Sequence, residues 1–586
     1  MPCRQRTDYS GYVPRRGAAV HVSTTRRHYK GKVYETHLLR RSYRENGKVR
    51  NETLGNLSHL PSAVIDLIKR SLAGEHFLSN TELEIERSLP HGHVQAVLSM
   101  MRKLNLPGLL DASRSRDRDL VLAMIAARVL KPASKLATTR LWGESTLASE
   151  LSVEDANEDE LYRALDWLWQ RQDKIERRLA RRHLEEGALV LYDLSSSYLE
   201  GRHCQLARIG YSRDGKRGSL QIEYGLITDA EGRPVAVEVF EGNTADPKTV
   251  TAAVDKLKRR FKLAELVLVG DRGMLTSARL EALEKVPGAA WISALRGPAI
   301  RALVDSGSLQ LSLFDERNLA EISDPAYPGE RLVVCKNPLL ASERARKRED
   351  LLQATEAKLE PILTQVAGGK LRGAAQIGLR VGKVIDRHKV GKHFQVEVSE
   401  DSLQITRKLA EIEAEAALDG IYVLRTTVAP ERLSAAQVVR SYKRLVKVER
   451  AFRTLKSVDL QVRPVHHYSD DRVRAHVLLC MLAYYVRWHL EQAWAPLLFK
   501  DEEPPLAEDP VPPARRSPEA IRKASTQQLT DSGPVHSWST LLAALATLTR
   551  NRMRPQSAQD ASFELLARPT PLQARALALV DMISTL

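Results

Sequence analysis

The sequence predicts an α/β fold: a mixed sheet flanked by helices, preceded by a basic β-hairpin region and a helical region, and interrupted by an inserted, mainly β subdomain. Three observations predict it. Helical periodicity gives way at Ala188 to apolar runs of strand character, strand and helix patterns then follow in the order βββαβαβ, and the positive charge concentrates far ahead of them. With 586 residues the chain holds roughly three to five domains' worth of material.

Taken in chain order, the first segment, 1–87, is a basic hairpin region. The whole chain has 89 Lys and Arg against 73 Asp and Glu, a net charge of +16, which suits a polyanionic partner such as nucleic acid. Residues 1–60 hold thirteen of those cations and only four acids, so more than half of the excess sits in a tenth of the chain. Within it, Val33–Leu39 and Val49–Leu54 flank Glu45-Asn46-Gly47-Lys48, and Asn-Gly is a strong signal for a two-residue hairpin turn. Residues 88–186 read as a helical DNA-binding domain. Leu122, Ile125 and Val129 share one helix face, Leu161, Leu165 and Leu168 another, and Glu158-Asp159-Glu160 marks a helix start, where negative charge is favoured.

The core opens in 187–296. Ala188–Asp193 is an apolar strand ending in a carboxylate, Gln221–Thr228 and Pro234–Phe240 are strands joined by Asp229–Arg233, and a helix through Val250, Val254, Leu257 and Phe261 leads to a second apolar strand, Leu266–Gly270, ending in Asp271. A helix over Ser277–Lys285 and a strand over Ala290–Leu295 complete this part. Residues 297–420 form the insertion, with a charged helix from Ser342 to about Glu360 and strands around Leu379–Val384 and Phe394–Val398. The core resumes in 421–495 with a strand at Ile421–Thr427, a basic helix over Ser434–Leu455 and an apolar helix near 473–490. Residues 496–530 are Pro-rich and acidic, an exposed linker, and 531–586 form a helical end that includes Leu541–Arg552.

The longest apolar run, Val477–Val486, has ten residues, about half of what a spanning helix needs. No membrane span is expected. The segment Met1–Arg6 lacks a signal-peptide core, and Cys3, Cys204, Cys335 and Cys480 show no C-x-x-C spacing, which excludes a zinc ribbon or disulfide scaffold and suits a reducing cytoplasm.

Asp193 and Asp271 each follow an apolar strand, and Glu449 lies on a later helix. Water attacks phosphodiesters poorly at neutral pH, so nucleases recruit paired Mg²⁺ ions, and hard cations take carboxylate oxygens. If the first and fourth strands are parallel neighbours, about 4.8 Å apart, their aspartates share a site. Tyr442, Glu449 and Lys456 recur at seven-residue intervals, with Arg453 one turn past the glutamate, so one stripe of one helix carries an acid among phosphate binders. Leu445, Val448, Phe452 and Leu455 would pack that helix on the sheet. Eight Lys and Arg against two acids between Arg440 and Arg463 favour a nucleic-acid backbone.

Tyr192-Asp193-Leu194-Ser195-Ser196-Ser197-Tyr198, Gly210–Gly215, Gln221, Gly225-Leu226, Gly232-Arg233-Pro234 and Gly242-Asn243-Thr244-Ala245-Asp246 resemble the catalytic domain of bacterial insertion-sequence transposases of the DDE class. Val269–Met274 looks like that family's second-aspartate motif, and Tyr442–Lys456 resembles its helix signature Y-x₂-R-x₃-E-x₆-K. The signature's Arg position is Leu445 here, with Arg444 beside it. The resemblance implies a ribonuclease H-like fold with a β insertion. It also implies that Asp193, Asp271 and Glu449 hold Mg²⁺, with Mn²⁺ as substitute; Tyr442, Arg444, Arg453 and Lys456 are the expected DNA contacts. The implied partners are double-stranded DNA, as terminal inverted repeats and target, and a second copy in a synaptic homodimer. The implied location is the bacterial cytoplasm, associated with the nucleoid.

Other candidates are weaker. His466-His467 with His476 lack metal-ligand spacing, Ser195–Ser197 have no partner base, and Gly242-Asn243-Thr244 is a turn too short for a phosphate loop. The rival functions are a ribonuclease H-like nuclease that only hydrolyses DNA, and an inactive, transposase-derived DNA-binding protein.

Overall fold

The computed structural model describes residues 19–75, 83–201, 203–314, 317–457, 459–530, 533–555 and 562–584. The signal-peptide expectation and Cys3 fall outside them. Two compact units emerge, one of residues up to Ser88 with Asn551–Leu565, the other of Leu89–Arg550 with Leu566–Leu586.

In the first unit, β1 (Ala19–Tyr29), β2 (Lys32–Glu45) and β3 (Lys48–Asn56) form an antiparallel sheet, followed by α1 (Ser62–Leu72) and β4 (Leu83–Pro90). The expected hairpin is β2–β3. Its Asn46-Gly47 turn has φ of 49° and 77°, and Lys30-Gly31 repeats the device with 48° and 73°, as two-residue turns that follow the strand twist require. Lys30 carries no such sequence signal, so β1 went unread.

The second unit starts with seven helices: α2 (Gly92–Lys103), α3 (Leu106–Leu110), α4 (Arg116–Leu130), α5 (Lys135–Arg140), α6 (Leu147–Leu151), α7 (Glu158–Trp169) and α8 (Gln172–His183). Asn157 caps α7 reciprocally with Glu160, which explains the acidic run there. Then come β5 (Ala188–Tyr198), β6 (Arg208–Ile209), β7 (Leu220–Thr228), β8 (Pro234–Glu241), α9 (Asp246–Asp255), β9 (Leu266–Val269), α10 (Ser277–Glu284) and β10 (Ala289–Ala294). Strand order β8-β7-β5-β9-β10, with β7 antiparallel to β5 and β9 parallel to both β5 and β10, is the ribonuclease H-like arrangement.

The interruption contains α11 (Gly297–Asp305), β11 (Leu319–Ile322), β12 (Arg331–Lys336), α12 (Pro338–Ala367), α13 (Ala374–His388), β13 (Phe394–Val398), β14 (Leu403–Arg407) and α14 (Leu409–Ala416). It is mostly helical, which corrects the expected β character. Leu379–Val384 lies in α13, where Ile377 and Val381 are buried four residues apart and Leu379 is exposed, a helical period rather than a strand's. β11 and β12 extend the main sheet through β15 (Ile421–Thr426), while α12, α13 and the β13–β14 ribbon enclose a core of their own.

The basic helix is two helices, α15 (Ala435–Lys443) and α16 (Leu445–Lys456). They break at Arg444, whose N–H bonds to Ser441 and whose carbonyl accepts from Lys447, three-residue steps that tighten the turn. Next, α17 (Asp470–Ala493) is buried on nearly every side between the bundle and β8. Among the described residues no helix is long and apolar enough to cross a membrane.

The Pro-rich stretch is no free linker. Val511 is buried, Lys443 donates to the Val511 and Pro512 carbonyls at 2.7 Å, and Arg440 to that of Ala507 at 2.8 Å. Proline leaves carbonyls without matching N–H groups, and α15's cations satisfy them. α18 (Pro518–Thr526) and α19 (Trp538–Ala546) follow. The predicted Leu541–Arg552 helix stops there, because Thr549 starts β16 (Thr549–Pro555), which pairs with β4 and β17 (Phe563–Leu566) before α20 (Pro571–Asp581).

Glu176 of α8 joins the bundle to the sheet. Fully buried, it accepts from Gln172 (2.8 Å), the Val237 N–H (3.0 Å) and Lys256 (2.8 Å). Lys256 also meets Glu238 at 2.7 Å.

Candidate active site

Leu191 of β5 pairs with Val269 of β9 in parallel register. Asp193 lies two residues further on, still within β5, and Asp271 two residues further on, in the turn that follows β9. β9 stops at Val269 because Gly270–Gly273 turn away, with the Met274 and Leu275 N–H groups bonding to the Asp271 carbonyl. β5 instead continues through Asp193 to Tyr198, so Asp193 is within a strand rather than at its end. Its extension is buried: Ser197 bonds to the Tyr224 hydroxyl at 3.0 Å and Ser196 accepts from the Arg213 N–H at 2.9 Å.

α16 lies on β5 through Leu445, Val448, Ala451, Phe452 and Leu455, and Phe452 meets Tyr224 edge-on with centroids 5.6 Å apart. Glu449 stands on the exposed side of this helix. Burial, followed by the negative charges of Asp271 and Glu449, pushes the Asp193 carboxyl up to about 7, against the pull of the Leu194 N–H and Arg213. Asp193 is therefore within electrostatic reach of both other acids. Among the described residues, no group of three His, Cys, Asp or Glu side chains forms a ready metal cage.

Tyr442 belongs to the same neighbourhood. Its hydroxyl is pushed above the ordinary range by burial first and by the charge of Asp271 next. With Asp271, Arg272, Arg344 and Tyr422 it lines a cavity of about 310 Å³, and Arg344, Gly297 and Leu418 also line an adjoining groove of about 720 Å³ edged by Arg301, Lys347 and Lys389.

The other predicted contacts part company. Because the chain breaks at Arg444, Tyr442 is on α15 while Glu449 and Lys456 are on α16, so the three are not carried by one continuous helix. Lys456 points at Asp214, 2.9 Å away; the side chain of that aspartate is 1% exposed and also holds Arg463 and the Tyr198 N–H. Arg444 (3.5 Å) and Lys447 (2.6 Å) meet Glu231 in the β7–β8 turn. Arg453 is exposed.

Sequence reasoning missed Arg213, Glu223 and Asp246. Arg213 spans Glu223 (3.2 Å) and Asp246 (2.7 Å) beside Asp193. Burial raises the Glu223 carboxyl to about 7. A Cβ on Gly273 would lie 3.4 Å from Asp271 Oδ2 and 3.9 Å from Asp246 Oδ2, so Asp246 borders the acid pair. The signals were Gly210–Gly215 and Gly242–Asp246, but only the Ser196↔Glu223 register brings these partners together.

The fold and the acids define a ribonuclease H-like nucleic-acid-processing class. Family comparison narrows this: residues 201–486 match the transposase DDE domain, and residues 22–82 match the IS1634 family transposase, N-terminal domain. The chain belongs to the insertion-sequence transposases of the DDE class. The DDE match includes Asp271 and Glu449 and begins after Asp193. Among solved structures, a piggyBac transposase synaptic complex with hairpin DNA is similar at 9% identity over 77% of each chain, with a TM-score of 0.33. Comparison with curated proteins gives no match.

Proposed function

We propose that this transposase binds the terminal inverted repeats of its element and performs divalent-metal-dependent strand cleavage and strand transfer into target DNA. The observation that supports the reading most is the Leu191↔Val269 register, since Asp193 and Asp271 each follow these paired residues by two positions and the charges of Asp271 and Glu449 both act on Asp193. The donors fit a hard divalent cation: all three are carboxylates, and an Asp193 carboxyl raised to about 7 among like charges is an acid short of a counter-cation. Mg²⁺, or Mn²⁺ in its place, would supply activation of the attacking oxygen and stabilisation of the leaving one.

In this reading Asp193 holds that cation from β5, Asp271 from the turn after β9, and Glu449 closes on it from α16. Tyr442, Arg272 and Arg453 border the scissile phosphate, and the cationic groove past Arg344 follows the DNA backbone. Lys456, bound to Asp214, shapes this wall, and Arg444 would have to leave Glu231 to reach DNA. End recognition falls to the regions before residue 186, synapsis to a homodimer, and the working location to the nucleoid.

The test is the full chain with duplex carrying the flanking repeats and Mg²⁺. Metal-dependent cleavage and joined products are expected. Asp193→Ala, Asp271→Ala and Glu449→Gln should each abolish them with DNA affinity nearly intact, because backbone contacts lie elsewhere. Hydrolysis without joining would leave a nuclease, and binding without cleavage a repressor.

A further inference from the structure

A second polar cavity, of about 140 Å³, lies where the helical bundle meets the segment after α16, with Arg128, Lys135, Tyr162, Gln461, His467 and His476 among its walls. No acid is among its described lining residues. Lys135 is 5% exposed, and its ammonium has no hydrogen-bond or ion-pair partner among the described residues. Arg128, 6% exposed, spends its N–H groups on the Ala133 (3.1 Å), Leu460 (3.4 Å) and Gln461 (3.3 Å) carbonyls, which fix the walls without cancelling its charge. His476 is 5% exposed; its Nε2 faces the Val462 carbonyl at 3.0 Å, and its Nδ1 is buried with no partner. His467 packs between Tyr162, edge-on at 5.9 Å, and His476 at 5.1 Å.

A buried cation without a counter-charge costs several kcal/mol. The fold responds by discharging these groups. Burial and then Arg128 lower Lys135 to about 7, and burial lowers His467 to about 3. A purely structural pocket would be expected to hold an acid or a carbonyl against the lysine, and among the described residues this one holds neither.

We propose that the cavity binds one phosphate-class oxyanion, with the Lys135 ammonium as its main partner, the Arg128 charge behind it, and the Tyr162 hydroxyl and the His467 imidazole as further donors. The anion is carried on a DNA backbone or is free in solution; the first source rests on the function proposed above, the second does not.

The probe is inorganic phosphate, titrated calorimetrically into the full chain near pH 7 against chloride of equal ionic strength, alongside thermal unfolding. One phosphate per chain should bind and raise Tm. Lys135→Met should lose about tenfold in affinity, as for one charged hydrogen bond, and His467→Asn should lose severalfold. The gain in Tm is compared within each protein, so an altered stability of either variant does not mask it, and His467→Asn serves if Lys135→Met does not fold. Absence of phosphate-specific binding, or equal binding by the variants that fold, overturns the site. With terminal-repeat duplex present, loss of phosphate binding together with a DNA salt slope shallower by about one in Lys135→Met assigns the anion to the DNA backbone. Simultaneous binding of duplex and phosphate assigns it to free anion.

Discussion

Asp193→Asn should stabilise the protein at alkaline pH and leave it unchanged in acid. In the native protein the Asp193 carboxyl titrates at about 7 instead of 3.8, because it is largely buried and faces the charges of Asp271 and Glu449. The unfolded chain releases this proton near pH 4 while the folded chain keeps it, so stability falls as pH rises between those values and levels off above about 7. The interval corresponds to on the order of 4 kcal/mol, an upper figure because side chains and water relax around the charge. Asparagine is isosteric and neutral, and its amide oxygen can still accept the Leu194 N–H, which lies 2.8 Å from Asp193 Oδ1. Unfolding followed by circular dichroism in EDTA should show wild type and variant alike at pH 4 and the variant melting several degrees higher at pH 8. Mg²⁺ should narrow the gap at pH 8 by stabilising wild type alone. Parallel stability curves across this range would refute the electrostatic reasoning, since they would mean that Asp193 ionises without strain.

Two further outcomes follow from the packing. Glu176→Ala leaves Lys256, 3% exposed, with the half-buried Glu238 as its one acid and the Val237 carbonyl at 3.3 Å among the described residues, and should lower stability by about 3 kcal/mol in denaturant titration, the scale for breaking a buried pair. Lys456→Met should destabilise by about 1–3 kcal/mol, because Asp214 is almost fully buried and keeps only Arg463 as a cation; the same variant should leave the salt slope of DNA binding unchanged, whereas a slope shallower by about one would return Lys456 to the DNA interface.

The ribonuclease H-like core was readable because its strands are apolar runs and its helices keep a 3.6-residue period, and the two aspartates because each follows such a run. Glu449 was readable from the apolar face of its own helix. The break at Arg444 was not, since periodicity carries on through it and only the hydrogen-bond pattern changes. Leu379–Val384 looked like a strand because six residues cannot separate alternation from a helical stripe when both faces hold aliphatic groups. Arg213, Glu223 and Asp246 meet only through sheet register, and Lys456 meets Asp214 across 242 positions, distances over which sequence pattern says nothing. The prolines of 501–520 signalled loss of regular structure, which is correct, and were read as loss of contact, which does not follow: carbonyls remain to be satisfied.

The central claim is that Asp193, Asp271 and Glu449 bind one metal centre. Iron-directed hydroxyl-radical cleavage tests it without requiring transposition: Fe²⁺ replaces Mg²⁺, peroxide and ascorbate are added, and the cut positions are mapped by mass spectrometry. The account predicts backbone cuts clustered near residues 193, 271 and 449, suppressed by excess Mg²⁺ and lost in Asp271→Asn. Cuts confined to other segments, or a pattern indifferent to Mg²⁺ and to Asp271→Asn, would contradict it.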